Sequence, residues 1–483
     1  MSANAKQKEL FERKPVFSAI MELALPSVIG QIILVIYNMA DTFFVGLADK
    51  AYADTMITSV TVCMPAFMFL SAISNLFGVG GASVISRALG QKDRKKAMNA
   101  SSFAIYGCLI LTAVYSLGVW IFMDKFVDLL GGLNLDVHEN ACEYMVIAVV
   151  AGGLPTAMNT LFSHLFRAEG RSMRASTGIA LGSILNIALD PLFMFVILPP
   201  GNEALGAAIA TAVSNVVALI YFVAVIVRNH SQLVISAVPS KKMFGESIPR
   251  EVITVGIPAC LMTLCENISY AILDNQMYWA GAAIGRVKEA QAGVGVAKKV
   301  NMLAHSVVRG MTQGVLPLIG YNYASGNRKR MERVLYTSAA MSIGISVLCM
   351  VANLLFSYPL TGIFIQDPPT HGDILMVFNS HDFAAAFLRV LCIGAPFSAL
   401  AYTVISFFQA TGHAGNSLIL ALLRKGILDI PLMFILKAFI PVFGIVWATP
   451  IADIVCCATA IVLFAVFIRN HRKEFDHPQP AAV

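Results

Sequence analysis

The sequence predicts an all-α polytopic membrane protein, with twelve transmembrane helices in two pseudo-symmetric six-helix bundles around a central cleft. Three observations predict it. Of 483 residues, 57% are hydrophobic and only 13% charged, where soluble domains hold nearer a quarter charged. The mean hydropathy is +0.73. The apolar residues fall in runs of about 20 or more, long enough to cross a bilayer as helices. The short alternating segments of a membrane barrel are absent, which leaves helices as the spanning structure.

Twelve spans are expected: 16–45, 55–80, 98–123, 142–166, 176–198, 205–228, 251–280, 291–320, 334–358, 383–410, 417–438 and 444–468. The connectors are short except at 229–250 and 361–382. Positive charge alternates between the two sets of connectors. Lys6, Lys8, Arg13 and Lys14 share one side with Arg87 to Lys96, with Arg167, Arg171 and Arg174, with Arg228 to Arg250, with Arg328 to Arg333, and with Arg469 to Lys473. These make 23 of 34 cations. The other side holds Lys50, Lys125, Arg286, Lys288 and little else. The positive-inside rule then puts both termini in the cytoplasm of a multi-pass plasma (inner) membrane protein, which requires an even number of spans. The polar N-terminus lacks the short apolar core and small-residue cleavage site of a removable signal.

The chain also repeats itself. "LALPSVIGQIILVIYNMADTFFVG" around Pro26 resembles "VGIPACLMTLCENISYAILDNQMYWAG" around Pro258. Gly90 matches Gly326, Pro155 matches Pro396, Gly170 matches Gly412, and "GAAIAT" at Gly206 matches "GIVWAT" at Gly444. The offsets of 232 to 242 keep one order. Residues 1–228 therefore form a first six-helix lobe, 229–250 a cytoplasmic linker, and 251–483 a second lobe with a short tail. Six spans per copy give both copies one orientation, so the lobes are related by an axis along the membrane normal.

Charges inside the spans are the candidate functional residues, because an ionised group at mid-bilayer costs about 2.5–3.5 kcal/mol or more. Asn38 and Asp41 stand three apart, Asn186 and Asp190 four apart, each pair on one helix face. Together they make a hard-oxygen pocket fit for Na⁺ or for a shared proton. The alternative for each acid is a solvated helix end, since Asp190 precedes Pro191 and Asp41 lies near the end of span 1. A second candidate cation or substrate site comprises Glu266, Asp274 and Lys299. Lys298, Lys299, Arg309, Arg424 and Lys425 are expected chiefly to neutralise acids such as Glu266 and Asp429. Pro26 is a candidate hinge, because bending span 1 there would move Asp41. The nine cysteines include no CxxC pair and read as small core residues. No phosphate loop or nucleophile elbow occurs. An enzyme is not expected, nor a nucleic-acid partner, a cofactor or a metal beyond Na⁺.

The stretches "LPSVIGQIILVIYNMADTFFVG", "SRALGQKDRKKA", "FRAEGRSMRA", "ILNIALDPLF" and "LGAAIATAVSN" together resemble the multidrug and toxic compound extrusion (MATE) family. The resemblance runs over nearly the whole chain. Asp41, Asn186 and Asp190 are similar to the cation site of its DinF-like prokaryotic branch, and Glu266 to a seventh-helix Glu of the NorM-like branch. The family implies an antiporter, here expected to act as a monomer. It would export cationic amphipathic drugs or metabolites in exchange for H⁺ or Na⁺ by alternating access. A flippase for lipids or lipid-linked oligosaccharides is the alternative within the wider superfamily.

Overall fold

The computed structural model describes residues 7–45, 53–130, 135–245, 247–365, 368–370 and 378–470; the side chains of residues 41, 42, 45, 53–57 and 135 also lie outside the described set. Among the orientation charges, Lys6, Lys50, Arg472 and Lys473 fall outside it. Twelve long helical rods follow one another, and no strand occurs among the described residues. The first bundle contains α1 (Val16–Val45), α2 (Ala53–Gly90), α3 (Arg94–Ile121), α4 (Leu135–Met145, Val146–Ala151 and Gly153–Ala168), α5 (Ser172–Leu192, continued by Phe193–Ile197) and α6 (Glu203–Arg228). The second contains α7 (Ile248–Ala283), α8 (Val287–Ala324), α9 (Arg328–Leu355), α10 (Ser380–Leu391, Cys392–Gly394 and Ala395–Thr411), α11 (Ala414–Leu422, Leu423–Leu428 and Asp429–Phe439) and α12 (Phe443–Asn470).

Among the described residues nine helices are long and apolar enough to cross a bilayer, and a pair bent by 45° within α4 makes a tenth. The remaining two, α8 and α11, are the rods that carry Lys298, Lys299 and Arg309, and Arg424, Lys425 and Asp429. Large apolar side chains face outward, as a lipid-bathed surface requires: Trp120, Ile184, Ile220 and Leu348 are 58–70% exposed.

The two bundles meet where their repeats predict equivalent contacts. Pro26/Pro258 makes α1 and α7 mates, and Gly90/Gly326 makes α2 and α8 mates. The most extensive helix–helix contacts are α2 with α7 and α1 with α8, the same crossing made twice. Lipid supplies no hydrophobic drive between helices, so close backbone approach must hold them. Glycines permit it: a Cβ on Gly80 would lie 2.1 Å from the Val252 carbonyl oxygen, and one on Gly314 2.7 Å from that of Leu23. Both crossings lie toward the cation-rich end. There Glu251 of α7 accepts from Lys96 at 2.8 Å and pairs with Arg87 at 3.3 Å. The N-terminal turn Glu9–Arg13 is held on the second bundle by Arg330 Nε to the Phe11 carbonyl (2.7 Å) and Tyr321 Oη to Glu12 (2.8 Å).

Two turns show the repeat at residue level. After α2, Lys92 takes φ 62°; after α8, Gly326 takes φ 73°, so this turn aligns Gly326 with Lys92 rather than with Gly90, the match the sequence suggested. Asp93 and Asn327 then cap α3 and α9 in the same way, accepting from Lys96 N and Arg330 N. The linker lies along the first bundle. Buried Glu169 accepts from the amides of Val234 and Ile235, Ser101 donates to the Val234 carbonyl, and Arg94 donates to the Leu233 carbonyl.

Candidate functional site

In the first bundle, α5 presents Asn186 and Asp190 one turn apart on its inner face. They are 2% and 0% exposed. Thr211 of α6 closes the group. With the amide oriented to satisfy both neighbours, Asn186 donates to Asp190 Oδ2 at 3.1 Å and accepts from Thr211 Oγ1 at 3.1 Å. Pro191 has no N–H, so the Ile187 carbonyl loses its helical donor, and α5 continues as a wider π turn. The cluster is thus rich in hard oxygens. α1 packs along α5. Its Asn38 is exposed and donates to its own Leu34 carbonyl at 2.8 Å. Position 41 belongs to the same helix, but the Asp41 side chain lies outside the described residues. α1 runs as one helix through Pro26.

The second bundle builds a similar group, with a lysine in place of the amide and a serine added. Asp429 is fully buried. Its Oδ2 accepts from Lys425 (2.8 Å) and Ser269 (2.6 Å), its Oδ1 from Thr449 (2.9 Å). Lys425, Asp429 and Thr449 stand 239, 239 and 238 positions after Asn186, Asp190 and Thr211, within the repeat's offsets. Where the first bundle has a neutral amide, the second has an ammonium. Asp274 is likewise ion-paired, with Lys298; Lys299, the residue expected there, is half-buried one position on. Glu266 pairs with Arg309. Arg424 binds Asp453 Oδ1 and the Tyr402 hydroxyl, both at 2.7 Å, and its guanidinium lies 4.3 Å from that ring. The π segment Leu423–Leu428 carries Arg424 and Lys425; its extra residue per turn lets two consecutive long side chains both point inward.

Between the bundles lies a cavity of about 100 Å³, bounded by Arg167, His164, Glu266, Arg309, Tyr402 and Gln313 among others. That is well below the roughly 300–1,000 Å³ of a pocket for a drug-sized ligand, so the bundles must part to admit one. His164 joins Asn75 (3.2 Å), which donates to Thr263 across the interface (2.9 Å). Arg167, counted in the sequence among the loop cations, is instead 2% exposed inside α4 and borders this cavity. A further group of potential ligands, Asp124, His138 and Cys142, sits outside the cavity near the α3–α4 turn.

Sequence reasoning found Asp190, Glu266, Asp274 and Asp429 but missed their hydroxyl partners. Thr211 and Thr449 were visible as the last residues of "GAAIAT" and "GIVWAT". Ser269 and Tyr402 carry no such signal, since Ser and Tyr are common throughout the spans.

Two six-helix bundles that share a fold, meet along a pseudo-two-fold crossing and enclose a polar cavity define a class of membrane transporters. The chain belongs to the MatE family, whose profile matches residues 26–192 and 258–435. It is 30% identical over 478 residues to the multidrug export protein MepA of Staphylococcus aureus strain MSSA476, covering 98% of both chains. Its fold is similar to a structure described as the outward-facing conformation of a multidrug resistance MATE family transporter of the MOP superfamily. There the TM-score is 0.85 at 22% identity, over 97% of this chain and 99% of that one. A MOP superfamily transporter from Pyrococcus furiosus, described as having a binding pocket of reverse polarity, matches with a TM-score of 0.81 at 23% identity, over 98% and 99%.

Proposed function

We propose that this protein is a secondary active antiporter of the plasma membrane, with both termini cytoplasmic, working as a monomer. It exports amphipathic drugs or metabolites while H⁺ or Na⁺ runs inward. Two relations support the reading: the 30% identity to proteins named for multidrug export, and a polar cavity between two lobes. The observation that carries it is the buried Asn186–Asp190–Thr211 group. A carboxylate held in an oxygen-rich pocket of a membrane helix stays there at a cost that occupancy by a mobile cation offsets. One inward positive charge supplies about 2.3 kcal/mol per 100 mV. Coupling follows if the cation and the cargo prefer different states of the two lobes, with Asp41 joining the pocket from α1 and Pro26 letting that helix bend. Glu266 offers the counter-charge for a cationic cargo that displaces Arg309.

The test is ethidium efflux from everted vesicles under an imposed H⁺ or Na⁺ gradient. The wild type should respond to one of the two, and Asp190→Asn should reduce efflux to background while the protein still purifies as a folded species. Normal efflux by that variant would remove the first-lobe acid from the mechanism. A lipid-linked flippase needs a broad cationic surface; of Lys298, Lys299 and Arg309, which give that reading its footing, Lys298 and Arg309 are each paired with an acid.

A further inference from the structure

Arg167 is the one charged group of the cavity wall that the transport reading leaves without a role. It is 2% exposed, its Nε donates to Ser27 Oγ and its Nη1 to Ser163 Oγ, both at 3.2 Å. Its Nη2 is buried and meets no hydrogen-bond acceptor. Its two partners are neutral hydroxyls on α1 and α4. The other buried cations of the spans, Arg424 and Lys425, and the half-buried Arg309 each have an acid against them. A buried guanidinium that lacks a carboxylate is costly, because desolvation is not repaid by an opposite charge, and an unmet donor adds to that cost. The cavity wall holds two guanidinium groups, Arg167 and Arg309, against the single carboxylate of Glu266, which leaves one positive charge in excess.

We infer that the cargo carries an acidic group, and that Arg167 is its anchor: the preferred substrate is a zwitterionic or anionic amphiphile, such as one bearing a carboxylate, rather than a pure cation. This rests on the transport reading and narrows it. A planar oxyanion suits the site, since the free Nη2 and the adjoining Nη1 present a fork that a carboxylate meets with two parallel bonds. Ser27 and Ser163 hold the fork in place. Ser27 is next to Pro26, so the anchor also touches the point where α1 is able to bend.

The experiment compares two rhodamine dyes that differ only in one group, a free carboxylic acid and its ethyl ester. Binding to the purified protein in detergent is read by fluorescence anisotropy, and transport in everted vesicles under H⁺ and Na⁺ gradients. The wild type should bind and export the acid in preference to the ester. Arg167→Gln, which keeps an amide donor for the two serines, should lower the acid-to-ester affinity ratio by about tenfold or more, the loss expected for a charge-assisted bond. Arg167→Lys should restore part of it. A wild type that prefers the ester, or an Arg167→Gln variant that weakens both dyes equally, overturns the inference and leaves antiport standing. Preferential binding of the acid with no transport of either dye upholds the anchor and defeats the antiport reading.

Discussion

Asp190 and Asp429 occupy one position of the repeat in two lobes, and the residue four positions earlier differs in charge between them. Each has a threonine from the following helix in its group and a partner four residues earlier on its own helix. In the first lobe that partner is Asn186; in the second it is Lys425. The ammonium of Lys425 is a counter-ion that never leaves, since it is tied to the same helix as the acid it faces. The pair is closed by chemistry within the lobe. Asn186 offers oxygen and N–H but no charge, which is why the proposed function places the mobile cation in the first lobe. α2 points the same way: its only cation is Arg87, near its end, whereas its repeat mate α8 carries Lys298 against Asp274. Duplication gave two acid sites, one with a lysine tethered to it and one with an amide, and the proposed antiport loads the second kind.

The comparison breaks or sharpens at four further points. The largest effect belongs to Asn186→Lys, which copies the second lobe into the first. A tethered ammonium should then sit on Asp190, gradient-driven ethidium efflux should fall to background, and the melting temperature should hold or rise. Retained coupling would mean that the mobile cation binds elsewhere. The reverse exchange, Lys425→Asn, strips Asp429 of its charge partner and should cost about 3–5 kcal/mol, as for other broken buried pairs. A fall in melting temperature measured in detergent should be partly reversed by Na⁺ or by a lower pH, because either fills the role of the lost ammonium. A loss that neither reverses would show that the second site is not a filled version of the first.

Smaller effects test the hydroxyls. Thr449→Val removes a bond to a charged oxygen and should cost about 1.5–3 kcal/mol, whereas Thr211→Val removes a bond to an amide and should cost about 0.5–1.5 kcal/mol. Chemical or thermal unfolding of the two variants side by side gives the difference; equal losses would argue that both threonines face the same charge. The smallest effect concerns the two matching turns. Lys92 takes a left-handed conformation that its mate Gly326 adopts without a Cβ penalty. Lys92→Gly should therefore raise stability by up to about 1 kcal/mol, and Gly326→Ala should lower it by a similar amount, read as opposite shifts in melting temperature.

Much of this was legible beforehand. The span at 16–45 matches α1, and the others fall within about four residues except where a helix runs past its apolar window: α2 ends at Gly90 rather than 80, α4 starts at Leu135 rather than 142 and α9 at Arg328 rather than 334, because polar helix needs no apolar window to continue. α10 and α11 were seen as single spans, yet each is broken by a 3-10 or π segment. Such a change of pitch leaves the hydrophobic run intact and so leaves no mark on it. The pairing of Asn186 with Asp190 followed from four-residue spacing. The choice of Lys298 over Lys299 as the partner of Asp274 did not, because adjacent residues on a helix differ by about 100° in direction and only packing decides which one faces inward. Arg167 was misplaced for a related reason: a cation one residue beyond a predicted span end reads as a loop charge until the helix is seen to continue.

The sequence by itself determined the membrane-spanning class, the duplication and the identity of the buried acids, because hydropathy, repeat spacing and helical period are local or one-dimensional properties. Only the tertiary structure decided which acids are neutralised from within. That depends on contacts between helices, whether far apart in the chain, as α7 with α11, or consecutive, as α11 with α12, and on whether the atom four residues away is an amide or an ammonium once both are buried. It also decided that Arg167 faces a cavity rather than water, since burial is a property of what surrounds a side chain and not of the side chain itself.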